Sequence, residues 1–322
     1  MILESASVKF QLIHNMLESE DCSMSITEMC SLAGVSRGGY YYWCNQEEAR
    51  RQREEADLED FSLVLEAYKF RGYAKGARSI YMRLLHLTPP VVMNIKKIRR
   101  LMDKYNLRCP IRKPNPYRRM LKAIRTNNFA DNILKRRFKD FGPRKVLLTD
   151  ITYIPFSGEW LYLSVIIDAY TKQVLSYVLS DTMKLDFVLE TVKQLLEKYG
   201  VDLSQETIIH SDQGVHYTSY KFIEIVENAE LRRSMSRRGN CWDNAPQESF
   251  FGHMKQEIDL SNCRKFSEVK AAIDDWMAYY NQDRYQWNLA KLSPNEYYEY
   301  IKTKTGIGPN FGVGLLHECG ST

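Results

Sequence analysis

Hydrophobic spacing divides the chain into two textures. Over residues 25–45, SITEMCSLAGVSRGGYYYWCN, apolar Ile26, Met29, Cys30, Leu32 and Ala33 mark a short helix. Gly34 breaks that helix, and Ser36 offers the N-cap of a second one. This is the outline of a helix-turn-helix and equally of any helical hairpin. The run Tyr40, Tyr41, Tyr42 and Trp43 reads either as nucleic-acid contacts or as packing. Residues 47–60 mix charges of both signs, as a solvated helix or connector does. Helical spacing returns over 57–70 and 76–86. After Pro89 and Pro90, a helix from Asn94 carries Ile95, Ile98, Leu101, Met102 and Tyr105 on one face. Its Lys96, Lys97, Arg99, Arg100 and Lys104 lie largely off that stripe, as a DNA-binding face or as an ordinary solvated one.

From residue 146 the period changes. VLLTDITYIPF (146–156), EWLYLSVIIDAY (159–170) and QVLSYVLS (173–180) are β-branched and aromatic runs separated by turn signals, a predicted strand meander. Residues 184–199 repeat Leu185, Val188, Leu189, Val192, Leu195 and Leu196 at helical spacing, and 207–210 is a further short strand. Three strands, a helix, a strand and then helices give an α/β domain with a mixed sheet, for which a ribonuclease H-like fold is the leading candidate. The expected organisation is a helix-turn-helix module at 1–46, a second small helical DNA-binding module at 47–107, a linker at 108–127, the α/β domain at 128–305 and a flexible Gly-rich tail at 306–322.

Composition sharpens the linker more than the whole. Lys and Arg exceed Asp and Glu by 45 to 40, a net charge of +5, which leans only weakly toward an anionic partner. Between Arg108 and Arg125, however, RCPIRKPNPYRRMLKAIR holds seven Lys or Arg, three prolines and no acid. Such a segment is extended where the prolines fall, and its Arg112, Lys113, Arg118 and Arg119 suit a phosphate backbone through counterion release. Seven cysteines without a CxxC pair or zinc-ligand spacing read as reduced thiols of a cytosolic protein. The longest largely apolar run, 161–167, is far too short to span a bilayer, and nothing in the N-terminal MILESASVKFQL resembles a targeting signal.

Asp150 interrupts an apolar strand and Asp212 follows another, in TIIHSDQGVHYTS; Glu248 lies on a later helix with 35 residues between it and Asp212. Roughly one residue in eight is acidic, so the spacing alone carries no weight. Singly, each aspartate reads equally well as a locally hydrogen-bonded turn or cap residue. Together the three form a like-charged cluster that repels unless protonated or bridged by divalent cations, whose preference for oxygen suits Mg²⁺. Two such ions about 4 Å apart activate an attacking oxygen and stabilise a leaving one in phosphodiester displacement.

LLTDITYI, IIHSDQGVHYTS, RRGNCWDNAPQESFFGHMKQE and YYNQDRYQWNLAKLSPNEYYEY resemble the four signature blocks of bacterial insertion-sequence transposases of the retroviral-integrase (DDE) superfamily, in particular the second-reading-frame product of the two-frame group. The resemblance runs over about residues 25–300 and rests most on the block from Arg237 to Glu257. It implies a ribonuclease H-like catalytic domain with Asp150, Asp212 and Glu248 as the catalytic and metal-binding triad, Mg²⁺ as cofactor and Mn²⁺ as its substitute. It implies double-stranded DNA, transposon ends and target, as substrate, and 3′-end cleavage at terminal inverted repeats followed by strand transfer through a circular copy-out, paste-in route. Two DNA ends imply a homo-oligomer, at least a dimer. The upstream-frame protein is a further candidate partner, because this chain shows no sustained heptads of its own.

Lys255 follows Glu248 by seven residues, about 700° of helix, so the two share a face about 10 Å apart and Lys255 is a candidate DNA-end contact. Asn244 and Arg37 are further DNA-binding candidates, as are Lys96 and Lys97. Arg232, Arg233, Arg237 and Arg238 read as contacts to the same DNA or as a flexible basic loop. The absence of a G-x-x-x-x-G-K-[ST] sequence removes a P-loop, in keeping with transesterification and no nucleotide cofactor. The expected setting is the bacterial cytoplasm, on the nucleoid. Two rival readings are a DNA-binding regulator with an inert α/β domain and a nuclease that only cuts. An intact triad weighs against the regulator, and joining of a 3′-end to a second site separates transposase from nuclease.

Overall fold

The computed structural model describes residues 5–18, 24–110, 141–236 and 245–303. It forms two compact units, Met1–Leu65 and Glu66–Thr322. In the first, α1 (Ala6–Leu17), α2 (Ile26–Ala33) and α3 (Arg37–Asn45) close on Ile13, Met29, Cys30, Tyr40 and Trp43. Local chemistry sets the turn. The Ser25 hydroxyl accepts from the Glu28 amide at 3.3 Å while the Glu28 carboxylate accepts from the Ser25 amide at 2.8 Å, a reciprocal cap at the start of α2. Gly34 then ends α2 in the left-handed region at φ 64°, and the Ser36 hydroxyl starts α3 by accepting from the Gly39 amide at 3.0 Å. The aromatic run splits by helical spacing: Tyr40 and Trp43 are buried, whereas Tyr41 and Tyr42 are exposed.

The mixed charges of 47–60 belong to one 23-residue helix, α4 (Glu47–Lys69), continuous with the expected 57–70 helix. In the second unit α4 ends in a 3₁₀ turn, Phe70–Gly72, with Arg71 at φ 58°. The buried Lys75 ammonium donates to the main-chain oxygens of Tyr68, Phe70 and Tyr73, satisfying carbonyls that the helix end leaves without partners. Helices α5 (Ala77–Leu85) and α6 (Ile95–Lys104) bury Ile80, Leu84, Leu85, Ile98 and Leu101.

The α/β part carries β1 (Val146–Phe156), β2 (Glu159–Asp168), β3 (Val174–Ser180), α7 (Asp186–Tyr199), β4 (Ile208–Ser211), α8 (Tyr220–Asn228), β5 (Arg232–Met235), α9 (Ala245–Glu257), α10 (Phe266–Gln282) and α11 (Pro294–Thr303). Sheet order is β3-β2-β1-β4-β5; the meander is antiparallel, and β4 joins β1, and β5 joins β4, in parallel. Both faces are buried, which is why the strands read as near-continuous apolar runs. Leu148, Val165 and Ile167 face Phe250, Met254, Ile273 and Trp276 of α9 and α10. Leu147, Ile166 and Ile209 face Val188, Val192, Phe222 and Val226 of α7 and α8. This is a mixed-sheet α/β fold preceded by helical elements.

One expectation changes. Arg232 and Arg233 are not in a loop: they open β5, pairing with Ile208 and Ile209. Backbone pairing to β4 and the buried Ser234 hold the strand, without the apolar alternation that would reveal it in sequence. Within the second unit, the turn after Lys69 and the end of α5 also dock on the α/β part. Tyr73 donates to Asp275 at 2.6 Å and its ring lies 4.4 Å from that of Tyr279; Arg71 donates to Asp283 at 2.9 Å, and His86 stacks on Tyr285 at 3.7 Å. None of the described helices is long and apolar enough to cross a membrane.

Candidate active site

The site begins where β1 and β4 part. Their parallel pairing runs from Val146↔Ile208 to Leu148↔His210, and Asp150 and Asp212 each stand two residues further on. Equal offsets from one parallel pair put both carboxylates at the same level of the sheet, Asp150 within β1 and Asp212 just past the end of β4, on the C-terminal side of the parallel pair where α/β folds bind ligands. Asp150 is half-buried and its Oδ1 accepts from the Ile151 amide at 2.8 Å. Asp212 is exposed, and its Oδ1 accepts from the Gly214 amide at 2.8 Å in a tight turn. A Cβ at residue 214 would lie 2.9 Å from that oxygen, so a larger residue there would press on the carboxylate itself.

Tyr217 registers both charges. Its ring is buried and its hydroxyl accepts from Thr149 Oγ1 at 3.5 Å. Burial first, and then the negative charge of Asp150 with a smaller contribution from Asp212, push the phenol well above its ordinary value; the Thr149 contact works the other way.

Glu248 comes from α9. Gln247, Phe250, Phe251 and Met254 of that helix are buried, so its inner stripe runs at i, i+3, i+4 and i+7, and Glu248 and Lys255 both remain exposed. The helix is fastened near both ends. Gln247 Nε2 donates to the Val165 carbonyl at 3.1 Å, and Val165 is the β2 partner directly opposite Asp150. At the other end Glu257 accepts from Arg284 at 2.8 Å and from Trp276 Nε1 at 3.1 Å, with the Glu257 and Arg284 side chains only 6% and 17% exposed.

Three carboxylates supply hard oxygen donors of the kind Mg²⁺ and Mn²⁺ take. In this conformation, among the described residues, no three His, Cys, Asp or Glu side chains stand close enough together to hold one metal ion. The two aspartates share a sheet level, and the glutamate's helix is tied opposite Asp150; the donor chemistry fits a divalent ion.

The other sequence candidates are dispersed. Lys255 is exposed on α9, where partial desolvation lowers its ammonium from the ordinary lysine value. Arg37 is exposed at the start of α3, Lys96 is exposed and Lys97 half-buried at the start of α6. Arg112, Lys113, Arg118, Arg119, Arg237, Arg238 and Asn244 lie outside the described residues, as do most of the basic linker and the Gly-rich tail. His210 and His216 are not part of the carboxylate group: His210 Nδ1 is 3.0 Å from Ser234 Oγ, and His216 Nε2 is 2.9 Å from the Met183 carbonyl. Sequence reasoning missed Tyr217, Gln247 and the Glu257–Arg284 pair. Only Gln247 left a signal, a polar residue at an inner position of the α9 stripe.

Comparison with known proteins places the chain among recognisable relatives. The integrase core domain family matches residues 141–241, a second integrase core domain family matches 229–294, and an HTH-like domain family matches 53–115. The chain is 31% identical over 273 residues to the putative transposase InsK of insertion sequence element IS150 from Escherichia coli K12, covering 84% of this chain and 93% of that one. It is 30% identical over 274 residues to an uncharacterized 31 kDa protein of insertion element IS600 from Shigella sonnei, covering 84% and 97%. Among solved structures, the HTLV-2 integrase catalytic core domain in complex with magnesium aligns at TM-score 0.38 and 17% identity, over 48% of this chain and 97% of that one.

Proposed function

The chain belongs to the insertion-sequence transposases built on an integrase core, DDE-type polynucleotidyl transferases with an HTH-like domain, and from that membership we propose its reaction. It binds the terminal inverted repeats of an insertion sequence and carries out divalent-metal-dependent 3′-end cleavage and strand transfer, with Asp150, Asp212 and Glu248 holding the metal. The observation that carries this reading is the common sheet level of Asp150 and Asp212 at the parting of β1 and β4, with α9 tied opposite Asp150.

Bound Mg²⁺, or Mn²⁺ in its place, supplies activation of the attacking oxygen and stabilisation of the leaving one. The protein's own residues do the placing. The Gly214 turn fixes Asp212, the β1–β2 ladder fixes Asp150, and α9 carries Glu248. Negative charge gathered there repels DNA phosphates until a cation offsets it, which makes DNA engagement and metal loading cooperative. Lys255, on the exposed side of α9 with Glu248, holds the phosphate of the DNA end. Lys96 and Lys97 on α6, Arg37 on α3, and Arg112, Lys113, Arg118, Arg119, Arg237, Arg238 and Asn244 serve as positioning contacts to double-stranded DNA. Two ends are joined in one event, so the active form is at least a dimer, and the upstream-frame protein joins it where end recognition needs it. The reaction takes place on bacterial chromosomal DNA in the cytoplasm.

The purified chain is incubated with Mg²⁺ and DNA carrying its element's end, and cleaved and joined products are resolved. Wild type yields both, and Asp150→Asn loses both by about a thousandfold or more while still binding the end, as removal of a metal-clamping group requires. Both products intact in Asp150→Asn would sink the assignment. Cleavage without joining would identify a nuclease, and tight end binding without product, even with the upstream-frame protein added, a regulator.

A further inference from the structure

We propose that Gln247 is a positioning residue of the carboxylate site, a tether that fixes the height and rotation of α9 and so the point from which the adjacent Glu248 is presented; this rests on the metal-ligand reading above. Gln247 is 0% exposed and occupies an inner position otherwise taken by Phe250, Phe251 and Met254. Its one described hydrogen bond, 3.1 Å from Nε2 to the Val165 carbonyl, crosses from α9 to the sheet at the residue paired with Asp150. Only an N–H can face a carbonyl oxygen, so the amide orientation is fixed by chemistry. That leaves Oε1 buried without a hydrogen-bond partner.

A glutamine here is a poor choice for stability alone. An unpaired buried acceptor costs more than a typical hydrogen bond returns. A methionine fills the same space without that penalty. What methionine cannot do is set a register: apolar contacts along Phe250, Phe251 and Met254 tolerate sliding and rotation, whereas a directional bond to one carbonyl does not. The next residue along a helix is rotated about 100° and raised about 1.5 Å, so a tether at 247 transmits its constraint to Glu248 almost undiminished. Displacement of a reacting group by about 1 Å is enough to lose about a hundredfold in rate.

The test uses the full chain and the variants Gln247→Met, Gln247→Leu and Glu248→Gln. Mn²⁺ binding without DNA is measured by titration calorimetry, and amide hydrogen exchange of residues 246–251 is followed in metal-free protein. Thermal midpoint and strand-transfer kinetics complete the set. Gln247→Met is expected to melt within a few degrees of wild type yet to bind Mn²⁺ about tenfold more weakly, the usual effect of losing a group that orients a ligand. Exchange over 246–251 should rise while that of α10 stays unchanged, and kcat should fall about tenfold with the KM for DNA unaltered within about twofold. Gln247→Met or Gln247→Leu keeping Mn²⁺ affinity and kcat within about twofold of wild type overturns the proposal. Failure of both variants to fold also overturns it, in favour of a purely structural role. Glu248→Gln separates the two layers: if it leaves Mn²⁺ affinity unchanged, the ligand reading fails and the tether with it. If Glu248→Gln weakens binding and Gln247→Met does not, the tether alone fails.

Discussion

Arg284→Met gives the sharpest test of how α9 is held. The Glu257 carboxylate is 6% exposed and meets Arg284 through its Nε and Nη2, at 3.1 and 2.8 Å. Methionine matches the aliphatic stem but leaves the carboxylate with only the Trp276 indole N–H as a described partner. Stranding one member of a buried ion pair costs about 3–5 kcal/mol. A cavity of about 160 Å³ bordered by Lys75, His253, Glu257 and Arg284 admits water to the carboxylate, which favours the lower end, about 3 kcal/mol. For a unit of this size each kcal/mol moves the melting midpoint by about 2–4 °C, so the variant should melt about 6–12 °C below wild type in a calorimetric scan. Replacing both members, Glu257→Met with Arg284→Met, should recover most of that loss, because the desolvation penalty disappears with the charge. A single variant melting within about 2 °C of wild type, or a double variant no better than Arg284→Met, would refute the claim that this pair is buried and mutually dependent.

Three further outcomes follow from the geometry. Gly214→Ala forces a Cβ to within 2.9 Å of Asp212 Oδ1, so strand transfer should fall about tenfold or more with a melting midpoint little changed; a fully active variant would show that the carboxylate can turn away freely. Lys255→Ala should weaken binding of the element's end and reduce the slope of log affinity against log salt by about one, measured by fluorescence anisotropy at several salt concentrations. Burial lowers the Lys75 ammonium from 10.5 to about 8, so the unfolded chain binds the extra proton between those values. Stability from this group is complete above about pH 10.5 and is lost as pH falls through about 8. Denaturant titrations from pH 7 to 10 should therefore show a rise in wild type that Lys75→Met lacks.

The sequence and the structure agree best where burial writes a period. Leu147, Leu148, Val165, Ile166 and Ile167 lie between two helical layers, and that two-sided burial is what makes their strands continuous apolar runs. The Ser25–Glu28 cap and the Gly34 break were legible for a different reason, because caps and left-handed turns demand particular side chains locally. Strand β5 was not legible: Arg232 and Arg233 enter the sheet through their backbones, and nothing in a side-chain pattern reports a parallel partner at β4. The three carboxylates are proposed from their signature blocks rather than their spacing. Tyr217, Gln247 and Arg284 were not legible, because each acts through a contact with a residue remote in sequence, Thr149, Val165 and Glu257. Gln247 alone left a trace, a polar residue on the inner stripe of α9, but its partner at Val165 is set by the fold.

The sheet order also bears on when the site can exist as the chain folds. Asp150 lies in a meander of neighbouring strands, β1 to β3, closed by short hairpin connections and therefore favoured to form early. Asp212 reaches its place only when β4 pairs in parallel with β1 across an intervening helix, the slow, non-local kind of contact. Glu248 arrives later still, on a helix that needs β2 in place at Val165 for its anchor. A nascent chain thus carries its acids apart, and their mutual repulsion arises only once the core able to withstand it has been assembled.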